Sequence, residues 1–322
     1  MTSDQWLSVR VARKSAETAD IVTLELVDPD GGMLPEFSAG AHIDVELPGG
    51  YIRQYSLCNS PQERHRYLIG VLNDRAGRGG SRSVHENVRE TDIVRIGLPR
   101  NLFALADDAS RSLLLAGGIG VTPILCMAEE LSRRGEDFAM HYCTRSVERT
   151  AFRDRIRSSA YAERVQIHFD DGLPQQRLDM AALLSQPEDG THLYVCGPNG
   201  FLDAVLNIAT ACGWKGSHIH FERFAAASAD VGSETSFDVV IASSGQTVRV
   251  PAGRSAVDTL ADAGFVIPVA CQQGACGTCL TRVLHGEPDH RDVFMTPEEH
   301  AMNDRFTPCC SRSKTDLLVL DL

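Results

Sequence analysis

Three cysteines packed into one short stretch, Cys271, Cys276 and Cys279, constrain this chain more than any other feature. They follow C-x4-C-x2-C, and two more, Cys309 and Cys310, lie near the end of the chain. That spacing is the one used to hold a plant-type [2Fe–2S] cluster. Two irons need four thiolates, and soft sulfur donors suit them. A loop carrying three ligands must wrap closely, and Gly274 and Gly277 lack the Cβ that would obstruct it. Structural zinc usually draws on two CxxC-like pairs, which one loop with unequal steps does not provide. For the fourth ligand, Cys309 and Cys310 are both available. Their Cβ atoms diverge, so spacing alone does not choose between them.

The remaining composition narrows the class. A chain of 322 residues is long enough for two or three domains. Its net charge of -12 argues against a nucleic-acid surface, which needs clustered Lys and Arg. The first residues show no basic segment followed by an apolar one, so no secretory signal is read there. The longest apolar stretch, residues 113–128, is broken by Gly117, Gly118, Gly120 and Pro123 and is too short for a membrane span. A cytoplasmic protein is therefore expected, where thiols stay reduced and cysteines turn to metals or burial.

Three regions and a linker are expected. Residues 1–105 alternate in short runs between turns, the pattern of a small antiparallel β-barrel. Residues 106–226 alternate strands with helices, the pattern of a doubly wound α/β parallel sheet. Residues 227–235 are small and polar, a linker. Residues 236–322 open on two strands and a helix capped by Ser255 and carry the cysteines, an α+β domain. Thr296-Pro297-Glu298-Glu299 there reads as a helix start with a capping box.

Two weaker motifs sit in the first two regions. Gly117-Gly118-Ile119-Gly120-Val121-Thr122-Pro123 joins an apolar strand to a helix, whose free N–H groups suit a pyrophosphate. Cys196-Gly197-Pro198 follows a later strand, and such turns line the crevice where parallel sheets bind ligands. Thr144 and Arg145 end the second strand of that sheet. In the barrel, Arg53 and Tyr55 share a strand face and suit a phosphate and a flat ring. Gly77-Arg78-Gly79-Gly80-Ser81 then opens a short helix, a second phosphate cradle. Each of these, taken alone, is equally an ordinary turn or a surface arginine.

In order along the chain, Arg53-x-Tyr55-Ser56, the 77–81 and 117–123 turns, Cys196-Gly197-Pro198, Phe221-Glu222-x-Phe224 and the cysteine loop resemble the phthalate dioxygenase reductase family, vanillate O-demethylase reductases among them. The resemblance covers nearly the whole chain. It implies an FMN-binding barrel, an NAD-binding α/β domain and a β-grasp ferredoxin domain. Tyr55 would pack on the isoalloxazine, with Ser56 near flavin N5. Arg53, Gly79, Gly80 and Ser81 would hold the phosphate, and Thr122 and Phe224 would border the flavin. Gly117, Gly118, Ile119, Gly120, Thr144, Arg145, Cys196, Gly197 and Pro198 would line the NADH site, with Ser56, Thr122 and Cys196 at the reacting atoms. Cys309 would join Cys271, Cys276 and Cys279 on the cluster. His290-Arg291-Asp292 also matches the family, with no role assigned. Ser146 stands where relatives can carry Asp, beside Arg145, which leaves NADPH open against the NADH that the resemblance implies.

The activity so implied is the reductase component of a Rieske-type oxygenase. Electrons pass from NADH through FMN and the [2Fe–2S] cluster to a terminal oxygenase, an aromatic O-demethylase or hydroxylase. No general acid or base is called for, and His42, His85 and His141 read as structural. The expected partner is the terminal oxygenase, met by a monomer in transient docking. Alternatives are a reductase for a quaternary-amine (carnitine-like) oxygenase and a non-enzymatic [2Fe–2S] carrier or redox sensor.

Overall fold

The computed structural model describes residues 6–75, 77, 79–224, 235–269, 274 and 277–322. Cys271, Cys276 and all of the 227–235 linker except Thr235 lie outside them. The chain divides into two compact units, Met1–Glu222 and Arg223–Leu322. Among the described residues, no helix is long and apolar enough to cross a membrane.

Alternation over the first hundred residues becomes β1 (Trp6–Ala16), β2 (Ile21–Val27), β3 (His42–Leu47), β4 (Tyr51–Ser56), β5 (Tyr67–Leu72), helix α1 (Gly80–Asn87) and β6 (Ile93–Gly97). The strands form one antiparallel sheet in the order β4-β3-β6-β1-β2-β5. An antiparallel bridge between Leu57 and Ile69 brings the two edges together, so the sheet nearly closes into a barrel. Val9, Val11, Leu24, Leu26, Ile43, Val45, Ile69 and Ile96 fill its interior. β3 departs from simple alternation. Asp44 is buried within it and is tolerated because Arg100 Nη2 reaches its Oδ2 at 2.6 Å.

The same unit then alternates β7 (Arg111–Gly117), α2 (Val121–Arg134), β8 (Phe138–Thr144), α3 (Arg153–Ser158), β9 (Val165–Phe169), α4 (Met180–Leu184), β10 (Thr191–Cys196), α5 (Asn199–Ala211) and β11 (Ile219–Glu222). All five strands are parallel, in the order β11-β10-β7-β8-β9. The chain winds one way from β7 and returns through β10, so the topological switch lies between those two strands. Every residue of β10 is buried, as covering on both faces requires. Gly135, at φ +71, ends α2.

The second unit holds β12 (Phe237–Ile241), β13 (Thr247–Val250), α6 (Ala256–Asp262), β14 (Thr281–His285), β15 (Pro288–Asp289), α7 (Pro297–Met302), β16 (Arg305–Phe306), β17 (Arg312–Ser313) and β18 (Leu317–Leu320). The main sheet runs β13-β12-β18-β14-β16, with β12 and β18 parallel, a β-grasp arrangement. Both expected caps form: Ser255 Oγ accepts from Asp258 N at 3.1 Å, and Thr296 with Glu299 makes a reciprocal capping box. Arg312 is pinned inside. Its guanidinium donates to the carbonyls of Thr235, Pro251 and Arg254 and lies over the Phe237 ring.

Candidate functional site

Phosphate chemistry in the barrel unit starts at α1. Gly79 precedes it at φ +88, a conformation that disfavours side chains, and among the described residues no side chain caps the first turn. A Cβ on Gly80 would come within 2.7 Å of Arg53 Nε, and one on Gly79 within 2.9 Å of Tyr51 Oη. The two glycines thus press the helix N-terminus against the buried Arg53. Free N–H groups and a guanidinium converge there, a fit for a phosphate. Ser81 turns its Oγ to Asp74 N at 3.1 Å, closing the turn. Tyr51, absent from the expected set, lies 5.4 Å from the Arg53 guanidinium. Tyr55 packs against the barrel core.

At the switch point the two glycine turns touch. A Cβ on Gly120 would collide with the Cys196 carbonyl and Gly197 N, and one on Gly117 would sit 3.0 Å from Phe201. These glycines are therefore dictated by close backbone approach. Gly118, at φ +53 with open space around it, lines the mouth beside Ile119. Among the described residues neither α2 nor α5 has a side-chain cap, which leaves two helix N-termini at the crevice between Gly117–Gly120 and Cys196–Pro198. Thr144 instead closes its own turn, with its Oγ1 2.9 Å from Thr150 Oγ1. Arg145 is exposed. Asp170 N and Asp171 N bond the carbonyls of Thr144 and Arg145 at 3.0 Å, which sets two acidic residues beside the end of β8.

The barrel and the parallel sheet meet around Gly70 on β5, where a Cβ would lie 2.8 Å from Thr122 Cγ2 and 3.0 Å from the Phe152 ring. Thr122 Oγ1 donates to the Ile119 carbonyl at 3.1 Å. Close by in the fold, Ser56 Oγ donates to Glu222 Oε2 at 3.2 Å, and His42 Nδ1 lies 4.0 Å from Glu222 Oε1. Glu222 is the cross-strand partner of Cys196. Ser56 and His42, both buried, thus meet the half-buried Glu222 from β4 and β3, with Cys196 beside it on the neighbouring strand β10.

Burial raises the Glu222 carboxyl to about 7, partly offset by the Ser56 hydrogen bond. It also raises the Cys196 thiol well above its usual value. Burial, aided by Arg100, lowers His42 to about 4, and its Nε2 has no hydrogen-bond partner among the described residues. His85 and His141 are satisfied, the first by the Val71 carbonyl at 3.0 Å and the second by His168 at 3.0 Å. No periodicity signals the Glu222 pairing. The Phe221-Glu222-x-Phe224 motif contains the residue without indicating its partner.

The Glu222 shift has a definite sign. A carboxyl at 4.5 when unfolded and about 7 when folded adds stability below the lower value, and loses it as pH rises through the upper one. The difference is worth roughly 3 kcal/mol. Denaturant midpoints of wild type and Glu222→Gln should diverge between those two pH values, with only the wild type losing this contribution. Parallel profiles would mean the carboxyl is not shifted.

In the second unit, Cys279 and Cys309 are buried close to each other. The contact with Cys279 raises the Cys309 thiol to about 12. Thiols crowded this way ionise together only when cations share the site, as iron does. Gly274 and Gly277 both have positive φ, 72° and 69°. A Cβ on Gly274 would strike Cys310 Sγ, and one on Gly277 the Phe294 ring. Phe224 lies just past β11, at the start of this unit.

Comparison with known proteins follows the same division. Residues 239–314 match the 2Fe-2S iron-sulfur cluster binding domain, and residues 97–219 match the N-terminal domain of dimethylamine monooxygenase subunit DmmA-like proteins. The chain is 55% identical over 303 residues to a vanillate O-demethylase oxidoreductase of Pseudomonas sp. (strain HR199 / DSM 7063), covering 94% of this chain and 96% of that one. It is 37% identical to the carnitine monooxygenase reductase subunit of Escherichia coli (strain K12), over all of both. The solved structure of phthalate dioxygenase reductase, described as modular for electron transfer from pyridine nucleotides to [2Fe–2S], superposes with a TM-score of 0.83 at 40% identity, covering 99% of this chain and 98% of that one. On sequence, domain match and architecture together, the chain belongs to the phthalate dioxygenase reductase family, oxidoreductases that move electrons from NADH through a flavin to a [2Fe–2S] cluster.

Proposed function

We propose that this chain is the reductase of a Rieske-type oxygenase acting on an aromatic ether of the vanillate kind. The observation that carries the reading is the meeting of Ser56 with Glu222, next to Cys196 on the neighbouring strand, beside the sheet's switch point. It is supported by the 55% identity to a vanillate O-demethylase oxidoreductase, against 37% to the carnitine monooxygenase reductase subunit. The barrel (1–105), nucleotide domain (106–226) and ferredoxin domain (236–322) are assigned one cofactor each.

FMN, when bound, accepts two electrons as a hydride and releases them singly. The chain's own residues do the rest. Arg53 with the α1 N-terminus and Ser81 holds the phosphate, and Tyr55 supplies a flat apolar wall. Ser56, held by Glu222, presents its hydroxyl where the ring nitrogen would sit. Thr122, braced on Gly70, borders the flavin. Gly117–Gly120, Thr144, Arg145 and Cys196–Pro198 receive the dinucleotide at two helix N-termini. Asp170 and Asp171 supply the acidic character that Ser146 lacks, which favours a free ribose 2′-OH and hence NADH. Burial of Ser56, Thr122 and Cys196 excludes water from the hydride path. Cys271, Cys276, Cys279 and Cys309 hold the two irons. The chain acts as a monomer that docks transiently on its oxygenase.

Reconstitution with purified candidate oxygenases tests the reading. NADH-dependent demethylation of vanillate with a vanillate-type oxygenase is expected at rates well above those with a carnitine-type partner. The reverse preference would overturn the substrate class.

A further inference from the structure

We propose that His290, Asp292 and His300 form a binding site for one divalent transition-metal ion, separate from the cysteine loop. The His290-Arg291-Asp292 motif has no part in the electron path described above. The fold brings it to α7, where one ligand atom from each of His290, Asp292 and His300 lies within 4.8 Å of the others. His290 Nδ1 is 3.9 Å from Asp292 Oδ1, and His300 Nε2 is 3.2 Å from Asp292 Oδ2. The two histidine rings stack, centroids 4.4 Å apart and 17° from parallel, each with a nitrogen toward Asp292.

The second observation is an orphaned nitrogen. The His290 side chain is 8% exposed, and its Nδ1 has no hydrogen-bond partner among the described residues. Its other nitrogen, Nε2, faces Asn303 Oδ1 at 3.2 Å. An amide oxygen can only accept, so the proton sits on Nε2 and Nδ1 turns a lone pair toward a carboxylate oxygen. Two acceptors facing each other in a buried space call for a cation between them. A metal-ligating histidine also typically donates its far N–H to such an oxygen.

Asp292 is oriented in the same way. Its side chain is fully buried, Met295 N donates to Oδ2 at 2.9 Å and Ser311 Oγ donates to Oδ1 at 3.4 Å. Two imidazoles and one carboxylate suit zinc or a similar late divalent ion, with a fourth position left for water. His300 keeps 27% of its side chain exposed and provides the way in. The ion would tie α7 to the segment whose Asp292 backbone abuts Gly274 of the cysteine loop.

The test uses purified holoprotein with its cluster intact, exposed to zinc sulfate and then passed through a desalting column. Metal analysis should find about one zinc per chain beyond the cluster iron. The zinc X-ray absorption edge should show nitrogen and oxygen neighbours and no sulfur. His290→Ala and His300→Ala should each lose the zinc while keeping the iron. No retained zinc would overturn the proposal, and would mean that a proton fills the gap on His290. Sulfur neighbours would place the zinc in the cysteine loop, and zinc undiminished in both variants would place it elsewhere; either result sinks the site. If His290→Ala does not fold, His300→Gln and the wild-type edge spectrum still decide the matter.

Discussion

Cys309→Ser should yield a protein that NADH still bleaches at the flavin but that no longer reduces cytochrome c. Removing one of four thiolates leaves the irons short of a ligand, so the [2Fe–2S] absorbance should vanish with the turnover. Cys310→Ser is the control, and it should retain both. The physical contrast lies in the neighbours. Cys309 is buried beside Cys279, whose thiol raises its own. Cys310, although its Sγ also lies against Gly274, turns to Thr307 Oγ1 at 3.3 Å and Ser311 Oγ at 3.8 Å. Cluster loss in the Cys310 variant alone would reverse the assignment. Loss of flavin reduction in the Cys309 variant would argue that the two redox sites are not independent.

Gly120→Ala should cost roughly 100-fold in NADH kcat/KM, the scale of a misplacement of about 1 Å at a reacting site. The added methyl has nowhere to go, since it would strike the Cys196 carbonyl and Gly197 N across the switch point. The start of α2 must then move away from β10, carrying Ile119 and Thr122 with it. Overpacking of this kind also costs about 1–3 kcal/mol of stability. Flavin absorbance should survive, because the barrel residues around Arg53 are untouched. Steady-state kinetics on the flavin-replete variant, with a denaturant melt alongside, check both parts. An unchanged KM and kcat would mean the crevice does not receive the dinucleotide. By contrast, Gly118→Ala meets open space, and its cost comes only from its φ of +53°.

Much of the architecture was legible because its signals are local. The short alternating runs of the first hundred residues became antiparallel strands, the strand–helix rhythm after them became a parallel sheet, and both caps of the second unit form where Ser255 and Thr296 indicate. The helix after the glycine turn begins at Val121, two residues before Pro123. Helix termini depend on which backbone groups find partners, and a residue list underdetermines that.

The amino-acid order alone determined the cluster loop, the glycine turns and the strand–helix rhythm, since each depends on residues within a few positions of one another. Tertiary structure decided that Ser56 meets Glu222 across 166 positions, that Gly70 makes room for Thr122, and that His290 and His300 close on Asp292. Such pairings carry no period. They exist only once the hydrophobic faces of distant strands have packed and fixed which side chains share a buried space.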